Sequence, residues 1–127
     1  MRGSCRVLVV DDDAGDRRMV ERALSARGYP VQVAANGREA LARIDAEGVP
    51  RLVVLDLLMP EMDGAEFLAA LRDRGIRDAM RVVLVTAVAS RHLLGLLGAE
   101  AALFKPVAVQ DLIRAVDGLC PGDPGPP

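Results

Sequence analysis

The sequence has no marked excess of either charge, no long apolar run and only one histidine. Its 16 basic and 18 acidic residues leave a net charge of −2. That balance gives no electrostatic case for binding nucleic acid or a membrane surface. No apolar stretch reaches bilayer-spanning length. The first one, Val7–Val10, is too short for a signal-peptide core and runs straight into Asp11-Asp12-Asp13. A cytoplasmic location is expected, and with it reduced thiols at Cys5 and Cys120. His92 has no His or Cys near it and reads as a surface residue rather than a ligand. Neither a P-loop nor a Gly-x-Gly-x-x-Gly follows the first apolar run, which argues against nucleotide binding.

What is present is a set of short apolar runs, each delivering polar residues at its carboxyl end. Val7–Val10 leads to Asp11, Asp12 and Asp13; Leu52–Leu55 leads to Asp56; Val82–Val85 leads to Thr86-Ala87; Ala101–Phe104 leads to Lys105-Pro106. Between the runs lie amphipathic stretches. Met19, Val20, Ala23 and Leu24 share one helical face; Ala40, Leu41 and Ile44 mark a second helix; Phe67, Leu68 and Leu71 mark a third. A short Leu-rich helix is expected over Ser90 to Leu97, and a last one carries Val109, Leu112, Ile113, Val116 and Leu119.

Alternating strands and helices predict an α/β domain, a doubly wound five-stranded parallel sheet of order 2-1-3-4-5 with helices on both faces. At 127 residues and 51% hydrophobic content the chain can fill one core. The expected domain is residues 1–120. Residues 121–127, Pro-Gly-Asp-Pro-Gly-Pro-Pro, read as a Pro/Gly-rich tail or linker. The predicted fold puts Cys5 and Cys120 at one pole. Asn36-Gly37 reads as a turn, and Asp13 as the cap of the first helix.

Open α/β sheets build their sites at the carboxyl ends of their strands. If the first and third strands are neighbours, Asp11, Asp12 and Asp56 form an acidic cluster. Like charges crowded together are costly, and a hard divalent cation with oxygen ligands offsets the repulsion; Mg²⁺ fits such a set. Taken alone, Asp11 and Asp12 are as well explained as turn and cap residues, Thr86 as a strand end and Lys105 as a surface charge. Together with Asp56 they converge on a site. A carboxylate such as Asp56 can accept a phosphoryl group as an acyl phosphate. The cation, the Lys105 ammonium and the Thr86 hydroxyl would then neutralise the phosphoryl oxygens. Pro106 restricts how Lys105 leaves its strand, and a cis Lys105–Pro106 peptide is expected.

These motifs, Val-Val-Asp11-Asp12-Asp13, Asp56-x-x-Met59-Pro60-x-Met62-Asp63-Gly64, Val-Thr86-Ala87 and Phe-Lys105-Pro106, resemble those of the receiver domain of two-component response regulators, over about residues 5–119. The resemblance implies a flavodoxin-like fold and a signalling phosphoacceptor that catalyses only its own phosphorylation and dephosphorylation. It implies that Asp56 is phosphorylated by a histidine kinase or phosphotransfer protein. Asp12 would ligate Mg²⁺ directly, Asp11 largely through water, and Leu58 through its carbonyl. Thr86 and Lys105 would contact the phosphoryl group, and Thr86, Ala87, Ala102, Lys105 and Pro106 would form the switch region. A homodimer or an output domain would use the face of the fourth and fifth helices.

Three departures stand out. Ala102 occupies the position where the family usually carries a switching aromatic, Val107 replaces the aromatic common after Lys-Pro, and the Thr86–Lys105 interval is short. Aromatics make up only 2% of the chain. Leu58 and Val88 are apolar where the family tunes water attack, so a dry site and a long-lived phosphoryl group are expected. The competing reading is a receiver-like interaction module that works without phosphorylation. A phosphatase would need a second acid two residues after the nucleophile, where this chain has Leu58.

Overall fold

The central strands are apolar on both faces because both are covered. The computed structural model describes residues 2–87, 92, 95 and 97–120. Its strands are β1 (Val7–Val10), β2 (Val31–Ala34), β3 (Leu52–Leu55), β4 (Arg81–Thr86) and β5 (Ala101–Phe104). They form one parallel sheet in the order β2-β1-β3-β4-β5. The helices are α1 (Ala14–Ala26), α2 (Gly37–Glu47), α3 (Gly64–Asp73) and α4 (Val109–Leu119). The Leu-rich helix expected over Ser90 to Leu97 falls largely outside the described residues; His92, one of the few described there, is exposed.

Alternate residues of each strand feed two cores. Leu8, Val10, Val53, Leu55, Val82 and Leu84 pack with Ile44 of α2 and Phe67, Leu68 and Leu71 of α3. Val7, Val9, Leu52, Val54, Val83 and Val85 pack with Val20 and Leu24 of α1 and with Leu112 and Val116 of α4. The period of two is present, but it sorts side chains between two buried faces rather than between core and water.

Helix starts fix the loops at the carboxyl pole. Asp13 caps α1 by accepting from the Asp16 amide at 2.8 Å. Asp63 and Glu66 form a reciprocal capping box on α3. Asn36 is not a turn residue as expected; its side chain caps α2 by accepting from the Glu39 amide at 2.8 Å, and Gly37 is already helical. Asparagine serves both roles, so the dipeptide alone does not choose between them.

The first strand begins one residue later than Arg6. The Arg6 guanidinium instead donates to the carbonyls of Glu47 (2.8 Å) and Val49 (2.9 Å), holding the end of α2 against the sheet. Tyr29 and Arg27, at the end of α1, both bond Asp117 of α4 and join the two helices of that face. Cys5 and Cys120 are not free thiols here: their Cα atoms lie 6.0 Å apart and the pair is joined as a disulfide. Compartment alone predicts reduced thiols; the pole they share brings them together. No helix among the described residues is long and apolar enough to cross a membrane.

Candidate functional site

Register alone assembles the site. Val10 pairs with Leu55, so Asp11 and Asp56 leave neighbouring strands at the same level. Thr86 pairs with Phe104, so Lys105 emerges beside Thr86, and its amide donates to the Thr86 carbonyl at 2.9 Å. The Lys105–Pro106 peptide is cis, as expected. Asp11, Asp56 and Thr86 are 3%, 5% and 0% exposed, the three buried polar side chains among the described residues.

Lys105 is the centre of the cluster. Its Nζ lies 3.0 Å from Asp11 Oδ2 and 3.1 Å from Asp56 Oδ2, donating to both. It also lies 3.0 Å from Asp16 Oδ2. The other Asp11 oxygen accepts from the Asp13 amide at 2.9 Å, and Asp56 Oδ1 accepts from the Leu58 amide at 3.2 Å. Arg17 donates to the Asp11 carbonyl at 2.8 Å. Carboxylate oxygens of Asp11, Asp12 and Asp56 all lie within 4.8 Å of one another, with Asp12 exposed at the rim. Oxygen donors at that spacing, two of them buried, suit a hard divalent cation.

Electrostatics follow from this packing. Burial pushes the Asp11 carboxyl above its ordinary range, more than the Asp13 amide and the Lys105 ammonium hold it down. Burial alone would lower Lys105, yet its bonds to Asp11, Asp16 and Asp56 outweigh that and raise it. The Lys105 contribution to stability is therefore present throughout neutral pH and lost only in the strongly alkaline range. Asp11 has the opposite sign at neutral pH. A carboxyl raised in the fold stabilises it only while protonated, and that contribution fades as pH rises through the folded value. Asp11→Asn is thus expected to raise the melting temperature in chelator while weakening divalent-cation binding about tenfold or more; thermal melts with and without Mg²⁺ read both.

The sequence-predicted residues fall as follows. Asp11, Asp56 and Lys105 are brought into contact, Asp12 joins the acidic cluster, and Thr86 lies buried at the adjacent strand end. The Leu58 side chain is 60% exposed, so it is the backbone of Leu58 that faces Asp56. Ala87 and Pro106 are exposed. Ala102 is half-buried against the core that contains Leu84. Phe104, two residues further on the same face, is 45% exposed. Val88 lies outside the described residues. Sequence reasoning misses Asp16. An acid in the first turn of a helix is ordinary complementation of the helix dipole, so nothing in the sequence marks it as a partner of Lys105.

Residues 7–117 match the family described as response regulator receiver domain. The chain is 42% identical over 117 residues to response regulator MprA of Mycolicibacterium vanbaalenii, covering 90% of this chain and 49% of that protein. It is 40% identical over 119 residues to response regulator MprA of Mycobacterium tuberculosis, covering 91% and 50%. It thus spans about half the length of the curated relatives it matches. Among solved structures, a CheY-like receiver domain protein of Methanospirillum hungatei superposes with a TM-score of 0.79 at 32% identity, over 90% of this chain and 91% of that one. The response regulator TrrA of Thermotoga maritima, in complex with Mg(2+)-BeF, gives 0.79 at 31% identity, over 91% and 98%. Sheet order, acidic cluster and family match agree, and the chain belongs to the response regulator receiver domain family, the phosphoacceptor signalling module of two-component systems.

Proposed function

We propose that Asp56 accepts the phosphoryl group, from the phosphohistidine of a histidine kinase or a phosphotransfer protein. The observation that carries this is one ammonium, Lys105, shared at 3.0 and 3.1 Å by Asp11 and Asp56 beside the three-carboxylate cluster. Asp11, Asp12 and Asp56 fit Mg²⁺, with the Leu58 carbonyl as a further ligand. The Mg(2+)-BeF complex of the Thermotoga relative supports that choice of cation. When bound, the ion supplies charge neutralisation at the phosphoryl oxygens.

The steps assigned to the chain are positioning and charge. An Asp56 oxygen attacks phosphorus, a P–O bond forms, the donor P–N bond breaks, and the imidazole leaves with the electron pair. Lys105 moves from carboxylate oxygen to phosphoryl oxygen, and the Thr86 hydroxyl donates to a second one. Thr86, Ala87, Ala102, Lys105 and Pro106 then carry the change, biasing a two-state equilibrium. Its readers would be a second copy or an output domain docked on the face made by α4 and the segment before β5. Residues 1–120 are the receiver unit and 121–127 its tail or linker.

The test is incubation with acetyl phosphate and Mg²⁺ followed by intact-mass measurement. One added phosphoryl group is expected, absent in Asp56→Asn and absent in chelator. No added mass on the unaltered chain favours the second reading, a module independent of phosphorylation. The observation behind that reading is half-buried Ala102, a methyl group with no rotamer to switch. The lifetime of the phosphorylated chain tests the dry-site expectation. Leu58→Asn replaces an exposed apolar side chain at the rim of the site with one that binds water, and a several-fold shorter half-life is expected; an unchanged or longer one refutes the role of Leu58.

A further inference from the structure

The amino pole of the sheet, far from the carboxylate cluster, carries a second chemistry. A cavity of about 760 Å³ opens there, lined by Arg51, Arg72, Arg77 and Arg81, with Cys5 and Cys120 in its wall. Two acids, Asp78 and Glu100, also line it, so the cavity is net positive. Arg77 is committed: it donates to the Met80 and Gly98 carbonyls and lies 3.7 Å from Glu100. Arg51, Arg72 and Arg81 are exposed and have no side-chain hydrogen bond or ion pair among the described residues. The two cysteines are each 3% exposed, and both line this cavity. Their bond joins residues 115 apart in sequence, the segment before β1 and the end of α4.

We propose that Cys5 and Cys120 form a thiol–disulfide exchange site, and that the arginine-lined cavity admits an anionic low-molecular-weight thiol to it. Buried structural disulfides have no entrance; this one lies in the wall of a cavity with three uncommitted guanidiniums, which concentrate anions by long-range attraction. In the reductive direction the thiolate of a carboxylate-bearing thiol attacks one sulfur. A mixed disulfide forms, the protein S–S bond breaks, and the other cysteine leaves as thiolate and takes up a proton. A second molecule of thiol attacks the mixed disulfide, releasing the second cysteine. Two thiols are oxidised to one small disulfide, and the protein disulfide becomes two thiols. Oxidised, the site clasps the last turn of α4 to the start of β1; reduced, that tie is gone. The proposal does not depend on phosphorylation, since the two sites occupy opposite ends of the sheet.

The test uses the full chain. Equilibrated with oxidised glutathione, both cysteines are expected to lose alkylation together, in a monomer. The oxidised chain is then reduced by glutathione, whose thiolate is anionic, or by cysteamine, whose thiolate carries an ammonium and has no net charge, at equal thiolate concentration. Each rate is normalised to the same thiol acting on the chain unfolded in urea. Glutathione is expected to be favoured about tenfold at low salt. The preference should shrink at high salt and in an Arg51→Gln/Arg81→Gln variant. Thiols that stay free in the folded chain while the unfolded chain oxidises would overturn the proposal. So would equal normalised rates, or a preference the double variant leaves unchanged.

Discussion

Lys105→Met is expected to leave a chain that is markedly less stable in chelator, that gains more from Mg²⁺ than the unaltered chain does, and that is phosphorylated far more slowly. The three effects have one origin. Lys105 is the cation lying against the buried Asp11 and Asp56 carboxylates. Removing one partner of a buried ion pair costs about 3–5 kcal/mol, because the charge left behind has neither water nor partner. Lys105 keeps some solvent contact and Asp16 is nearly half exposed, so the lower end applies, about 3 kcal/mol. At roughly 4 °C per kcal/mol that lowers the melting temperature by roughly 10 °C. A divalent cation replaces the missing charge, and a ligand at a hundredfold its Kd adds about 2.7 kcal/mol. Because methionine no longer competes for the same carboxylate oxygens, the Mg²⁺-induced shift should exceed that of the unaltered chain. Phosphorylation by acetyl phosphate should fall by about 10²–10³, as when one donor to a developing oxyanion is lost. Melting curves with and without Mg²⁺, and the rate of mass gain, test all three. An equal Mg²⁺ shift in the two proteins would mean that lysine and cation do not share oxygens.

The second large effect is expected at Gly64. A Cβ there would lie 2.6 Å from the Asp56 carbonyl oxygen, 2.8 Å from Leu57 Cα and 2.9 Å from Leu57 Cδ2. Two of the three contacts are backbone and cannot swing aside. The Gly64 amide also donates to the Leu57 carbonyl at 2.9 Å, so the α3 start is pinned to the chain just past Asp56. Gly64→Ala must push the two apart. A destabilisation of about 3 kcal/mol, the upper end for overpacking, is expected. The phosphorylation rate should fall as well, since Asp56 moves with its carbonyl. Gly118 is the control. It lies within α4, where an added methyl group would meet nothing inside 4 Å, and Gly118→Ala should stabilise by about 0.5–1 kcal/mol. Calorimetry on the two variants should therefore give shifts of opposite sign.

Sheet order and most of the site can be read from the chain because β1, β3, β4 and β5 each carry a short apolar run followed at once by its polar residues. Asp11, Asp56, Thr86 and Lys105 are placed by backbone register, and that register is pinned by the apolar runs that must be buried just before them. What escapes reading depends on side chains that reach across elements. Asp16 meets Lys105 only because α1 starts where Asp13 caps it. Asn36 has the same sequence signature as a turn residue and as a cap. Leu58 faces Asp56 with its amide rather than its side chain, which a pattern of residue types does not encode. The cysteine pair differs from expectation for another reason: a general rule about compartment says nothing of the pole that the first strand and the last helix share.

One backbone bond sets how far the strand ends can move. The Lys105 amide is held by the Thr86 carbonyl, one residue beyond the Thr86–Phe104 pair that ends the β4–β5 ladder. Sliding β4 along β5 would break this bond and the ladder behind it, so the two main chains behave as a single rigid beam. On the proposed reading, a change at Asp56 would therefore have to be carried by rotation about side-chain bonds such as those of Thr86, with the beam as the fixed support against which that rotation is measured.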